Sequence, residues 1–219
     1  MSLTSLEQVD CSGKKVLLRV DFNVPLDKST HAITDDTRMV KTLPTIELLL
    51  KRGAALILVS HLGRPEKKGD ATLSLEKVAT HLAKLLPNTK VHFSPEAVGH
   101  SVEKLAHDLK SGEILVLENI RFYKEETSKD EKQRAEFAKK LCSLADIYVN
   151  DAFGAAHRAH ASIYECAKIL PSYAGLLLKK EIEVLEKLVT NPQRPFVAVI
   201  GGSNVSSKLA VLENLVLKA

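Results

Sequence analysis

The chain has 219 residues, 45% hydrophobic and 26% charged, an ordinary globular composition with apolar material for one sizeable core, or one core and part of another. Lys and Arg total 31 against 27 Asp and Glu, a net charge of +4; this mild excess, with 5% aromatics, no Trp and no basic tract interleaved with aromatics, argues against nucleic-acid binding. The three cysteines, Cys11, Cys142 and Cys166, are odd in number and far apart, so neither a disulfide framework nor a zinc site is expected and a cytoplasmic location fits.

Met1 to Glu7 carries no basic head and no apolar stretch, so no signal peptide is expected, and no run approaches the ~18 apolar residues of a membrane span. Val16–Val20 reads as the first strand, running into Asp21-Phe22-Asn23-Val24-Pro25. The chain turns helical after Arg38, with Ile46, Leu49 and Leu50 at helical spacing, Pro44 early in the helix and Gly53 ending it. Residues 54–59 are an aliphatic strand that ends in Ser60-His61-Leu62-Gly63-Arg64-Pro65. There a glycine turn holds two cationic or near-cationic side chains at a strand's C-terminal end. Ser74 is expected to cap a helix with Val78, Leu82 and Leu85 inward, stopped by Pro87.

A short strand at residues 90–93 comes next, then a helix capped by Ser101 and running through Leu105 and Leu109. Ile114–Leu117 is a strand leading into Glu118-Asn119-Ile120-Arg121-Phe122. Ser128-Lys129-Asp130-Glu131 matches a capping box opening a helix through Phe137, Leu141 and Leu144, and the charged run from Lys124 to Glu136 reads as its solvated face. Ile147–Val149 is the next strand, followed by Asn150-Asp151-Ala152-Phe153-Gly154-Ala155-Ala156-His157-Arg158-Ala159-His160. A long amphipathic helix is expected from Tyr173 to Val189. Asn191-Pro192-Gln193-Arg194-Pro195 then marks a domain boundary, and a strand at 196–200, a Gly201-Gly202 turn and a helix from about Ser206 open a second unit. Alternating strands and helices imply a parallel α/β sheet, helices on both faces, with the strand-end loops on one edge. A lone strand-turn-helix cannot bury its own apolar face, so the sequence is expected to be truncated or to need a partner.

Four strands end in residues of one chemical kind: Asp21 and Asn23, with Arg38 in the following loop; His61 and Arg64; Arg121; and Asp151, His157 and Arg158. Gathered at one edge, the arginines suit a small, multiply anionic ligand, because each guanidinium pairs bidentately with phosphate or carboxylate. Asp21 and Asn23 share a face of an extended segment and suit a hydroxyl on that ligand. Taken singly, each has a plainer reading: a loop arginine is usually solvated, a lone histidine is more often structural, Asp21 could be a turn residue and Asp151 a helix cap. His31, His81, His92, His100 and His107 lack this context and read as surface residues. Gly201 and Gly202 before a helix carrying Lys208 suit a nucleotide phosphate or ribose, or a plain tight turn; a Walker loop and a dinucleotide fingerprint are both missing.

The segments Val20–Pro25, Ser60–Pro65, Leu117–Phe122 and Asn150–His160 closely resemble phosphoglycerate kinases, in order and along the whole chain. The resemblance implies two Rossmann-like domains joined by a long helix. Residues 1–172 would be the substrate domain, 173–190 the interdomain helix and 195–219 the first strand-loop-helix of a nucleotide domain. It further implies reversible phosphoryl transfer in glycolysis between Mg2+-bound ATP and the carboxylate of 3-phosphoglycerate, giving 1,3-bisphosphoglycerate and ADP. Carried over by position, His61, Arg64, Arg121 and Arg158 would hold the substrate phosphate, with His157 in support. Asp21 and Asn23 would take its hydroxyl and carboxylate end, Arg38 the moving phosphoryl group, and Gly201, Gly202 and Lys208 the nucleotide. No protein metal ligand, nucleic acid or membrane partner is implied, and the intact enzyme would be a monomer. Two departures stand out: the chain is about half the family's length, and Asn204 replaces a lysine near the transferred phosphoryl. The 219 residues alone are expected to bind substrate without turnover; a non-catalytic module sensing a phosphorylated metabolite is the alternative.

Overall fold

The computed structural model describes residues 6–66, 69–197, 199 and 213. Gly201, Gly202, Asn204 and Lys208, and most of the strand and helix expected around them, lie outside the described residues. The chain divides into two compact units, Met1–Lys179 and Lys180–Ala219.

The first unit alternates β1 (Lys15–Arg19), α1 (Thr37–Lys51), β2 (Ala55–Val59), α2 (Glu76–Leu85), β3 (Val91–Phe93), α3 (His100–Asp108), β4 (Ile114–Val116), α4 (Glu131–Cys142), β5 (Ile147–Asn150), α5 (Cys166–Ile169) and β6 (Ser172–Ala174). Its six-stranded sheet has the order β3-β4-β2-β1-β5-β6, and every pairing is parallel. Alternate residues of each strand feed opposite layers, as the two-residue period requires. Val16, Leu18, Leu56 and Leu58 pack with Met39, Ile46 and Leu49 of α1 and Val78 and Leu82 of α2. Leu17, Ile57, Leu115 and Tyr148 pack on the other face with Val102 and Ala106 of α3 and Phe137, Ala138 and Leu141 of α4. Sandwiched between the two layers, β2 is buried along its whole length, and its near-continuous aliphatic sequence follows from that.

Several expected boundaries move. Pro44 lies in the middle of α1, which starts at Thr37; it removes the N–H that would bond the Val40 carbonyl, at a stretch where Pro44 and Val40 are both exposed. Asp130, not Ser128, caps α4, accepting from the Lys132 N–H at 2.8 Å, while the Ser128 hydroxyl donates to Gln133. Leu75 precedes α2, with Ser74 accepting from the Glu76 N–H one position earlier. In α3, Gly99 takes the cap position instead of Ser101, and Val102 and Ala106 turn inward where Leu105 had been expected; Leu105 is exposed and Leu109 is buried just beyond the helix. Ser172–Ala174 form the edge strand β6, so the long helix α6 runs from Leu176 to Thr190 rather than from Tyr173.

That start has a specific cause. The Leu176 N–H donates to Thr45 Oγ1 at 3.0 Å, and the Leu177 and Leu178 N–H groups donate to Asp151 Oδ1 at 2.9 and 3.1 Å. Three of the amides that any helix leaves without an internal partner are thereby satisfied. Asp151 is fully buried, and burial raises its carboxyl pKa against the pull of Thr45 and the two amides. Gly175 lies against this carboxylate so closely that any Cβ would collide with it. Gly175→Ala is therefore expected to lower stability by about 1–3 kcal/mol, as overpacking does, read as a lower denaturation midpoint. An unchanged midpoint would mean that Asp151 has room to move.

Described by itself, the second unit carries the rest of α6, where Val184, Leu185 and Val189 are exposed. No helix among the described residues is long and apolar enough to cross a membrane.

Candidate functional site

The four strands whose ends carry the charged residues, β4, β2, β1 and β5, are consecutive in the sheet. Parallel pairing puts their C-terminal ends on one edge, where open α/β sheets bind ligands. Arg19, the last residue of β1, lies opposite Val59 of β2 and Asn150 of β5.

The turn after β2 is pinned from several sides. The Phe22 N–H donates to Ser60 Oγ at 2.9 Å. Asn119 accepts from the Leu62 N–H at 3.2 Å and donates to the Leu62 and Leu73 carbonyls at 2.7 and 2.9 Å. The Gly63 N–H donates to Asn23 Oδ1 at 2.8 Å, and Arg121 donates to the Gly63 carbonyl at 2.6 Å. Gly63 adopts φ +59°, and a Cβ there would come within 2.7 Å of Leu73, so the turn needs glycine on both counts. Glu118 fixes the neighbouring start of α2, accepting from the Leu75 N–H and the Ser74 hydroxyl at 2.8 and 2.7 Å.

The structure brings His61, Arg64, Arg121 and Arg158 together. Burial lowers the Arg121 pKa, and the positive charges of Arg158, Arg19 and Arg64 lower it further. Arg38 pairs with Asp21 Oδ2 at 2.7 Å, its side chain half exposed at 51%, and Asp21 Oδ1 lies 3.8 Å from His61 Nδ1. The Asn23 amide oxygen is spent on the turn. Arg158 Nε donates to His157 Nε2 at 3.3 Å. Burial first, then Arg19, Arg121, Arg158 and His160, push the His61 pKa down to about 2, which disfavours the cationic ring. Asp151, set among the strand-end residues by sequence position, is turned away to cap α6.

Sequence reasoning missed the layer beneath. Arg19 is 1% exposed. Its Nε donates to Ser162 Oγ at 3.0 Å, its Nη1 to the Val20 carbonyl, and its Nη2 lies 3.3 Å from His61 Nδ1. Glu126, placed by its sequence context on a solvated face, is fully buried and accepts from the Ser162 N–H and hydroxyl at 2.9 and 2.7 Å. Helix α4 starts only at Glu131, so Glu126 sits in the short 3-10 segment before it and points into the protein. Arg134, in the same charged run, is also buried and pairs with Glu165 at 3.0 Å. His160 lies 3.6 Å from Glu126, and burial with the surrounding arginines lowers its pKa to about 4. One signal was available: an arginine inside an otherwise aliphatic strand must be paired if it is buried.

Of the histidines read as surface residues, His81 and His92 are half-buried and bonded to Asp36 and Glu113 at 2.8 and 3.2 Å. His31, His100 and His107 form no part of the cluster. Among the described residues no group of three or more His, Cys, Asp or Glu side chains is placed to hold a metal ion. A hollow at the end of α6, between Val184 and Phe196, has only Lys187 as a charged lining residue and lacks the convergent cations that a multiply charged anion requires.

The family model for phosphoglycerate kinase matches residues 6–219. The phosphoglycerate kinase of Leptospira biflexa is 53% identical over 218 residues, covering 100% of this chain and 53% of that protein. That of Coprothermobacter proteolyticus is 50% identical over 218 residues, covering 100% and 54%. Among solved structures, phosphoglycerate kinase from Coxiella burnetii overlays with a TM-score of 0.84 at 37% identity, covering 99% of this chain and 53% of that one. The enzyme from Pyrococcus horikoshii OT3 overlays at 0.86 and 34% identity, covering 97% and 52%. The chain spans about half the length of the curated relatives it matches.

Proposed function

The chain belongs to the phosphoglycerate kinase family, and we propose that it serves that family's reaction, reversible phosphoryl transfer between Mg2+-bound ATP and the carboxylate of 3-phosphoglycerate, from its substrate-binding side. The observation that carries this reading is the convergence of Arg64 and Arg158 on Arg121, with Arg121 and Arg158 also acting on His61. Among the described residues none of these three arginines forms a salt bridge, so the positive charge asks for an anion from outside.

In this reading His61, Arg64, Arg121 and Arg158 hold the substrate phosphate, and His157 steadies Arg158. Asp21 and Asn23 take the hydroxyl and carboxylate end. Arg38 is held by Asp21 on an exposed arm; released from it, Arg38 neutralises charge on the group in transit. Phosphoryl transfer needs positioning and charge neutralisation more than covalent chemistry, and the substrate's own carboxylate is the nucleophile, so no protein base is required. Residues 1–172 are the substrate domain and 173–190 the link. Residues 195–219, with Gly201, Gly202 and Lys208, belong to the nucleotide side, where Asn204 lowers the positive charge.

Calorimetry on a polypeptide of these 219 residues is expected to detect 3-phosphoglycerate binding, and a coupled kinase assay on it to detect no turnover. Absence of binding at millimolar ligand would overturn the substrate assignment, and turnover would overturn the division of labour. Equal binding of unrelated phosphorylated metabolites would favour a non-catalytic sensing module.

A further inference from the structure

His61 sits at the centre of the basic patch and is 6% exposed. Its Nδ1 lies 3.3 Å from Arg19 Nη2. A guanidinium carries only donors and does not lose its proton in proteins, so the contact is a hydrogen bond only if Nδ1 offers a lone pair. Arg19 has no freedom to turn away, because its Nε is held by Ser162 and its Nη1 by the Val20 carbonyl. Ser162 is in turn held by Glu126 through both its N–H and its hydroxyl. Among the described residues Asp21 is the one carboxylate within 4 Å of the ring; it stands further off than Arg19, at 3.8 Å, and is engaged by Arg38 at 2.7 Å. The other ionisable groups acting on the ring, Arg121, Arg158 and, where it is protonated, His160, all oppose a positive imidazole.

We propose that Arg19, braced by Ser162 and Glu126, locks His61 as the neutral Nε2–H tautomer, making it an uncharged hydrogen-bond donor at the centre of the arginine cluster. Nε2 has no hydrogen-bond partner among the described residues and is the nitrogen left for a ligand. Its use toward the substrate phosphate rests on the preceding reading of this patch. The chemical gain is specific. A cationic histidine among Arg19, Arg121 and Arg158 would add repulsion that only a bound anion relieves. A neutral donor adds direction without that repulsion, and its contribution does not vary with pH in the range where a free histidine titrates. Arg19 is thus a positioning residue acting through His61. The lowered His61 pKa agrees with the geometry.

The test is long-range proton–nitrogen correlation NMR on the ligand-free 219-residue protein, with the ring nitrogens of His61 followed between about pH 5 and 8. A bare Nδ1, a protonated Nε2 and no titration are expected. An Nδ1–H ring, or one that becomes charged in that range, overturns the proposal. In Arg19→Met the ring is expected to lose its single tautomer and to show a mixture of Nδ1–H and Nε2–H forms in the same window; a ring that stays wholly Nε2–H there shows that Arg19 is not the cause. Should that variant fail to fold, the tautomer of the unaltered protein still decides. Adding 3-phosphoglycerate separates the two claims: a locked tautomer with no shift of the His61 signals counts against the substrate reading alone, and a shift of a charged or Nδ1–H ring counts against the tautomer alone.

Discussion

Arg121→Ala is expected to weaken 3-phosphoglycerate binding by roughly 10–150-fold, the equivalent of about 1.5–3 kcal/mol for a hydrogen bond to a charged group. Two losses combine. The guanidinium is half-buried, with Arg19, Arg64 and Arg158 close enough to act on it, so a phosphate there is poorly screened. It also donates to the Gly63 carbonyl and so holds the turn that carries Arg64. Arg121→Lys keeps the charge but not the planar fork, and is expected to recover only part of the affinity. Arg64 is exposed, and Arg64→Ala should cost severalfold rather than a hundredfold while leaving the fold intact. Calorimetry at fixed salt measures all three. Arg121→Ala binding within threefold of the parent would make Arg121 a brace for the turn, and the anion site would need to be redrawn around Arg158.

Glu126→Ala is expected to be the most damaging single change to the fold, at about 3–5 kcal/mol. The carboxylate is fully buried. It accepts two hydrogen bonds from Ser162, has His160 at 3.6 Å, and is acted on by the positive charges of Arg19 and Arg121. Its removal leaves a fully buried arginine without compensation and two Ser162 donors without an acceptor. For a unit of this size the loss corresponds to a fall of roughly 10 °C in midpoint. Glu126→Gln keeps the shape and one acceptor and should cost about half as much. The pH dependence has a definite sign. Burial is the largest influence on Glu126 and raises its pKa, so the folded protein holds this proton more tightly than the unfolded chain. The group therefore favours folding most at low pH, and that stabilisation is lost as pH rises from the unfolded pKa through the raised folded one. Glu126→Gln, which does not ionise, should flatten that segment of the stability–pH curve. A loss below about 1 kcal/mol for Glu126→Ala would mean that Arg19 finds another counter-charge.

The architecture was open to a reader of the sequence because its signals are local. The aliphatic run of β2 and the helical stripes of α1 and α4 state their own burial. Parallel connection then places His61, Arg64, Arg121 and Arg158 on one edge with no further information. The four strand-end motifs, and the family resemblance they carry, are likewise contiguous stretches. Elements without a local signal were less legible: β6 is Ser172-Tyr173-Ala174, with no aliphatic run, and reads as part of the helix behind it, and the caps of α3 and α4 went to Gly99 and Asp130 because the serines fell two positions out of place.

What only the tertiary structure decided is the fate of the charges. Glu125 and Glu126 are neighbours in one charged run, yet the first is exposed and the second fully buried. No periodicity distinguishes them, since the difference lies in Ser162, His160 and Arg19, which are far away in sequence. The bond from Arg19 to Ser162 spans 143 residues. Whether a charge can be buried depends on partners the chain supplies only after folding. The sequence by itself thus determined which residues meet at the sheet edge; tertiary contact decided that His61 there is neutral, that Arg19 and Glu126 lie beneath it, and that Asp151 serves a helix instead of a ligand.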